Sequence, residues 1–188
     1  MTLTIDGTGY MLAGLPAIIG FVPRHSLVLL STLHRSNTLC TVGPMIRADL
    51  GYVVTDPGQY VDAFARQVDD LPVQSVLAAV IRPLNEPADD TDLPRRDTAD
   101  TIATSLTGHG LTDIDVVHVP DIAPGARWRS YRTPGRHGAL PDPATTVFAA
   151  AAAAEGRVVA DRRQDLVAAS VPAPSMCANA CSTRSTPL

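Results

Sequence analysis

Short apolar runs of strand length alternate with stretches of helical period, and this alternation constrains the fold most. Val73–Ile81 is nine residues long and apolar except for Gln74 and Ser75. Ser26–Leu33 (SLVLLSTL) is a mostly apolar run, the pattern of a strand buried on both faces. Between and after such runs, apolar residues recur at helical spacing. Met11, Leu12, Leu15, Ile18 and Ile19 form one set, with Pro16 in the first turns or at a kink and Gly20 as the stop. Tyr60, Val61, Phe64, Ala65 and Val68 form a second, opened by Asp56 as N-cap and Pro57 at the first helical position. Ala99, Ile102, Ala103 and Leu106 form a third, closed by Gly108 and Gly110. The expectation is an α/β layered domain with a mixed, partly parallel sheet and flanking helices.

The remaining elements follow the same reading. Leu3–Ile5 is a short candidate strand and Asp6–Gly9 a turn. His34–Asn37 reads as a tight turn joining Ser26–Leu33 to a second strand over Thr38–Leu50, in which Gly43-Pro44 signals a bulge or an edge position. That joint is short enough for an antiparallel hairpin. Asp62 and Arg66 form an i,i+4 pair on the second helix. Leu84–Arg96 is polar, proline-rich and acidic, and reads as a loop. Ile114–Val119 and Arg127–Arg132 are strands. Asp142-Pro143 starts a helix that runs through the alanines to Glu155, with Gly156 as its stop. Arg157–Ala160 is a short strand and Asp161–Ala169 a last helix. One domain over residues 1–170 follows, with a disordered tail over 171–188, where periodicity gives way to small and polar residues.

Composition excludes several chemistries. All 15 basic residues are arginine, and there is no lysine. Schiff-base chemistry, a pyridoxal-phosphate anchor and a P-loop lysine are therefore excluded. Arginine as the sole basic residue, with 26 alanines and 16 prolines, fits the coding bias of a GC-rich genome. A net charge of −4 argues against a dedicated nucleic-acid partner. The longest apolar run, Val147–Ala154, is too short to cross a bilayer, which needs about 20 residues. The segment MTLTIDGTGY shows neither a basic n-region nor an apolar h-region, so no signal peptide is read. Three cysteines make no disulfide framework, and the expected location is cytoplasmic.

No metal or cofactor is expected. Cys177 and Cys181 have near-ligand spacing but no second pair of ligands nearby. Gly7-Thr8-Gly9 lacks the third glycine of a dinucleotide fingerprint, since residue 12 is leucine. No nucleophile elbow occurs, and His25, Ser26, His34, Asp49 and His118 are scattered. His118, inside an apolar strand, reads as a hydrogen-bonded sheet residue.

The candidate anion site is the stretch around the single tryptophan. Arg127, Arg129, Arg132 and Arg136 fall within ten residues that hold no acid, together with Trp128 and Tyr131, and His137 follows directly. If the stretch is a strand, Trp128, Ser130 and Arg132 share one face, and Arg127, Arg129 and Tyr131 the other. Guanidinium groups beside aromatic rings suit the clamping of phosphate or carboxylate. The acidic stretch Glu86–Asp100 is an internal alternative partner. Three functions follow as expectations: a non-catalytic binding or regulatory domain for a phosphate-bearing small ligand or an acidic partner, a hydrolase or transferase with an Asp/His site, and a protein-interaction subunit.

Three stretches, MLAGLPAIIGFVPRHSLVLL at 11–30, RWRSY at 127–131 and LPDPATTVFAAAAAAEGRVVADRRQDLVA at 140–168, together resemble the actinobacterial domain-of-unknown-function family 4192, its mycobacterial members above all. The resemblance covers roughly residues 5–172. It implies no established activity and supplies no catalytic residues. Many relatives carry a cysteine-containing segment after the tryptophan motif. Here that segment is RTPGRHG at 132–138, without cysteine, so a metal or redox role does not carry over. Many relatives also continue into a longer C-terminal half, and the loss of pattern at Val171 suggests a truncated or frame-shifted member.

Overall fold

Six strands form one sheet in the order β2-β1-β3-β4-β5-β6 in the computed structural model, which describes residues 7–36, 39–83 and 93–170. The strands are β1 Ser26–Ser36, β2 Leu39–Asp49, β3 Val73–Ile81, β4 Ile114–Val119, β5 Arg127–Ser130 and β6 His137–Ala139. The β3–β4 pair is parallel and every other pair is antiparallel, so the sheet is mixed as expected. The β1–β2 hairpin skips a register step where Gly43-Pro44 faces Ser31, and the Ser31 hydroxyl donates to the Pro44 carbonyl at 2.9 Å. Proline has no N–H for the ladder, so the bulge sits there, on the strand at the sheet's edge.

Helices cover both faces. On one face, α2 (Leu50–Val53), α3 (Pro57–Val68) and α4 (Arg96–Gly108) pack Val53, Val61, Phe64, Ile102 and Leu106 against Leu27, Leu29, Val76, Val80 and Val116. On the other face, α1 (Gly7–Ile19) packs Met11, Leu12 and Leu15 against Val28, Leu30, Ala79, Ile81, Val117 and Trp128, with Phe148 of α5 (Val147–Ala154) alongside. Alternate residues of β1 thus feed opposite cores, which is why Leu27–Leu30 is apolar without a break. The last helix, α6, spans Arg163–Ser170.

Several expectations are corrected. The turn expected to reach Gly9 is already helix from Gly7, and Gly9 lies in its first turn, where only a small residue fits. A Cβ on Gly9 would stand 3.0 Å from the Trp128 indole nitrogen and 2.9 Å from the Ala139 carbonyl. The turn expected from His34 is strand as far as Ser36, since the His34 amide donates to Pro72 and His34 pairs with Cys40. Pro16 lies late in α1, where it is followed by Gly20 at φ +94°. Asp62 meets the His109 ring at 2.8 Å rather than Arg66, because α4 brings its C-terminal histidine across to α3. Asp142 caps only one 3-10 turn, Pro143–Thr145. Extended Thr146 then breaks the chain and caps α5 through its hydroxyl. The strand expected at Arg157–Ala160 is reduced to a single parallel bridge between Phe21 and Ala160. Leu3–Ile5, most of the acidic loop and the tail over 171–188 lie outside the described residues.

Candidate functional site

Strand register decides which of the candidate residues meet. Val80 pairs with His118, His118 with Arg129, and Arg129 with His137. Cross-strand partners share a face, so His118, Arg129 and His137 form one row running from the α3–α4 core out to the open edge at β6. Arg127 is on the same face, two residues along β5. His118 is fully buried, Arg129 half-buried, and Arg127 and His137 exposed.

Trp128 and Tyr131 lie on opposite faces. The Trp128 ring is buried in the α1 core, pressed against Gly138, where a Cβ would stand 2.8 Å from its Nε1. The Tyr131 ring is buried in the α3–α4 core, and its hydroxyl donates to the Pro94 carbonyl at 2.6 Å. Burial pushes its phenol well above the usual tyrosine range, against a smaller opposing effect of Arg96 and Arg82. Arg132 lies beyond the end of β5 and is exposed.

Arg136 belongs to the Trp128 side. Its guanidinium pairs with Asp115 at 3.1 Å, donates to the Thr8 hydroxyl at 3.1 Å and lies 5.9 Å from the Trp128 ring centroid. Asp115 also accepts from the Thr8 and Ser130 hydroxyls. The acid missing from the arginine-rich stretch thus comes from β4. An aspartate at the second position of a strand is a weak signal in sequence, and only the β4–β5 register makes it a partner.

His118 behaves as a sheet residue. Its Nε2 hydrogen-bonds the Arg82 carbonyl at 2.8 Å, which makes that nitrogen the donor and leaves Nδ1 as the lone-pair nitrogen of a neutral ring. Burial lowers its pKa below the ordinary 6.5. The bond to Arg82 acts in the opposite direction, and the charges of Arg129 and Arg82 lower it further.

A second place was not singled out in the sequence. Register sets Ser26, Ile81 and Val119 side by side. The residues just outside them therefore gather at the carboxyl ends of β3 and β4. Arg24, His25, Pro83, Pro120 and Asp121 line a hollow of about 510 Å³ there. A hydrolase or transferase site needs a concave place where Asp and His converge, and this hollow is bordered by one of each, His25 and Asp121. His34 and Asp49 do not line it. His25 holds φ +46°, a left-handed conformation that costs a non-glycine residue about 1–3 kcal/mol. Among the described residues no group of three His, Cys, Asp or Glu side chains could hold a metal ion.

The layers and this mixed sheet define the chain as an α/β domain with helices on both faces. It belongs to the family described as Domain of unknown function (DUF4192), whose model matches residues 9–186. The match continues beyond residue 172, where the resemblance read from sequence stops. No curated protein and no solved structure matches it. The three stretches that carried the resemblance meet in space. Met11–Leu15, Val28 and Leu30, Trp128, and Leu140 with Phe148 make up most of the α1-side core. The family pattern here is chiefly a packing pattern.

Proposed function

We propose that the protein is a non-catalytic binding module whose β5–β6 face receives an acidic segment of a partner. The observation that carries this is the row His118, Arg129 and His137 with Arg127 beside it, rising from the core to a strand that, among the described residues, is paired on one side only. Edge strands accept added strands through their free backbone groups, and the arginines of β5 favour acidic ones. In this reading Arg127, Arg132 and His137 meet the partner. Trp128, Tyr131 and Arg136, held in the two cores and by Asp115, keep β5 in place. A cytoplasmic setting belongs to the reading, supported by the absence of a cysteine framework. Among the described residues no helix is long and apolar enough to cross a membrane. Arginine as the sole basic residue supports an actinobacterial origin.

Fluorescence anisotropy with a labelled oligo-aspartate peptide tests the proposal. Salt-sensitive binding that weakens in Arg127→Ala and Arg132→Ala is expected. Binding that is absent, or indifferent to both substitutions, overturns it. Displacement of the peptide by a nucleotide at the same residues would favour a phosphate-bearing small ligand on this face.

A further inference from the structure

We propose that the Arg24–His25 turn and Asp121 form a separate site for a small hydroxylated phosphomonoester of the sugar-phosphate class. In open α/β sheets the space outside the carboxyl ends of the strands is where ligands are held. The hollow there, about 510 Å³, is of ligand size.

The turn is fixed from several sides. The Ser26 hydroxyl, fully buried, donates to the Arg24 carbonyl at 2.7 Å. It accepts from Arg47 Nε at 2.8 Å. Arg47 is itself held by Asp49 at 2.6 Å and lies 5.7 Å from the Phe21 ring centroid. The His25 carbonyl accepts from the Leu50 amide at 2.9 Å. Both carbonyls of the turn are thus pinned and His25 is kept left-handed, while the Arg24 and His25 side chains stay exposed and border the hollow. Strain that the surroundings enforce, beside a cavity, is the pattern of a preorganised site.

The lining selects the ligand. Arg24 makes no ion pair among the described residues, and its guanidinium can hold two phosphate oxygens. It also borders a neighbouring hollow of about 350 Å³ with Arg162, Arg163 and Asp161, so cations outnumber acids around it. Asp121 would repel a bare anion but accepts from hydroxyl groups. Its Oδ1 takes the Ile122 amide at 2.8 Å, and Oδ2, with no partner among the described residues, can take a ligand hydroxyl. Pro83 and Pro120 add rigid walls without N–H donors. Phosphate at Arg24 and hydroxyls at Asp121 describe a phosphorylated sugar better than either part alone.

Isothermal titration calorimetry with ribose phosphate, inorganic phosphate and ribose tests this. Ribose phosphate is expected to bind more tightly than the other two, and Arg24→Ala to weaken it by about tenfold or more. Asp121→Asn should narrow the preference over inorganic phosphate. His25→Gly, which suits a left-handed turn, should keep or raise Tm yet weaken binding. Arg127→Ala should leave binding unchanged, which separates this site from the β5–β6 face. No binding of ribose phosphate overturns the proposal. So does affinity equal to that of inorganic phosphate, or affinity unchanged in both Arg24→Ala and His25→Gly.

Discussion

His118 donates from Nε2 to the carbonyl of Arg82 at 2.8 Å, so a histidine on β4 closes the backbone at the end of β3. The bond needs a ring nitrogen that carries hydrogen, and the buried ring is kept neutral by desolvation. The lowered pKa fixes the sign of its linkage to stability. As pH falls, the unfolded chain takes up the proton first. The stabilisation is complete above the ordinary value of 6.5 and is lost as pH falls from there toward the folded value. His118→Gln can keep a donor to Arg82 without titrating, and should flatten the decline in stability between about pH 7 and pH 5. His118→Leu leaves the carbonyl unpaired and should cost about 1–3 kcal/mol. Urea unfolding across that pH range checks both.

Trp128 is wedged between two glycines. A methyl group on Gly138 would meet its Nε1 at 2.8 Å, and one on Gly9 at 3.0 Å. Gly138→Ala should destabilise the protein by about 1–3 kcal/mol, as overpacking does. Trp128 is the only tryptophan in the chain, so its emission reports this core directly. An unchanged emission maximum together with unchanged stability would count against the wedge.

Asp115 gathers Arg136, Thr8 and Ser130 at the start of α1. Its side chain is 15% exposed and that of Arg136 is 47% exposed, so solvent screens the ion pair itself. Asp115→Ala should cost about 1–2 kcal/mol, mostly through the two hydroxyls left without an acceptor. A double-mutant cycle with Arg136→Ala should give a coupling under about 1 kcal/mol. Chemical denaturation measures both, and a large coupling would show that the ion pair dominates.

Thr146 caps α5 by accepting from the Ala149 amide at 3.2 Å while donating to the Pro143 carbonyl at 2.9 Å. Thr146→Ala should cost about 1 kcal/mol, and Thr146→Ser much less. Asp142→Ala, which touches only the preceding 3-10 turn, should cost less than Thr146→Ala. Thermal unfolding ranks the three.

Much of the scaffold was legible in the sequence. Val73–Ile81 and Ile114–Val119 are strands over those same residues, because short, mostly apolar and β-branched runs suit a strand covered on both faces. Asp56-Pro57 caps its helix as the local chemistry requires. The Asp142-Pro143 signal was equally clear, but the extended backbone at Thr146 overrode it within one turn.

Local period and capping determined the elements, their alternation and the chemistry that a lysine-free chain cannot perform. Long-range register decided the rest. Alternation put Trp128 and Tyr131 on opposite faces, but only the packing says which core each enters; Asp115 reaches Arg136 from another strand, and His25 and Asp121 line one hollow at the strand ends. Periodicity is a property of neighbours along the chain, whereas a site is made by neighbours across a sheet. One residue of register moves a side chain to the other face, so that choice belongs to the tertiary structure.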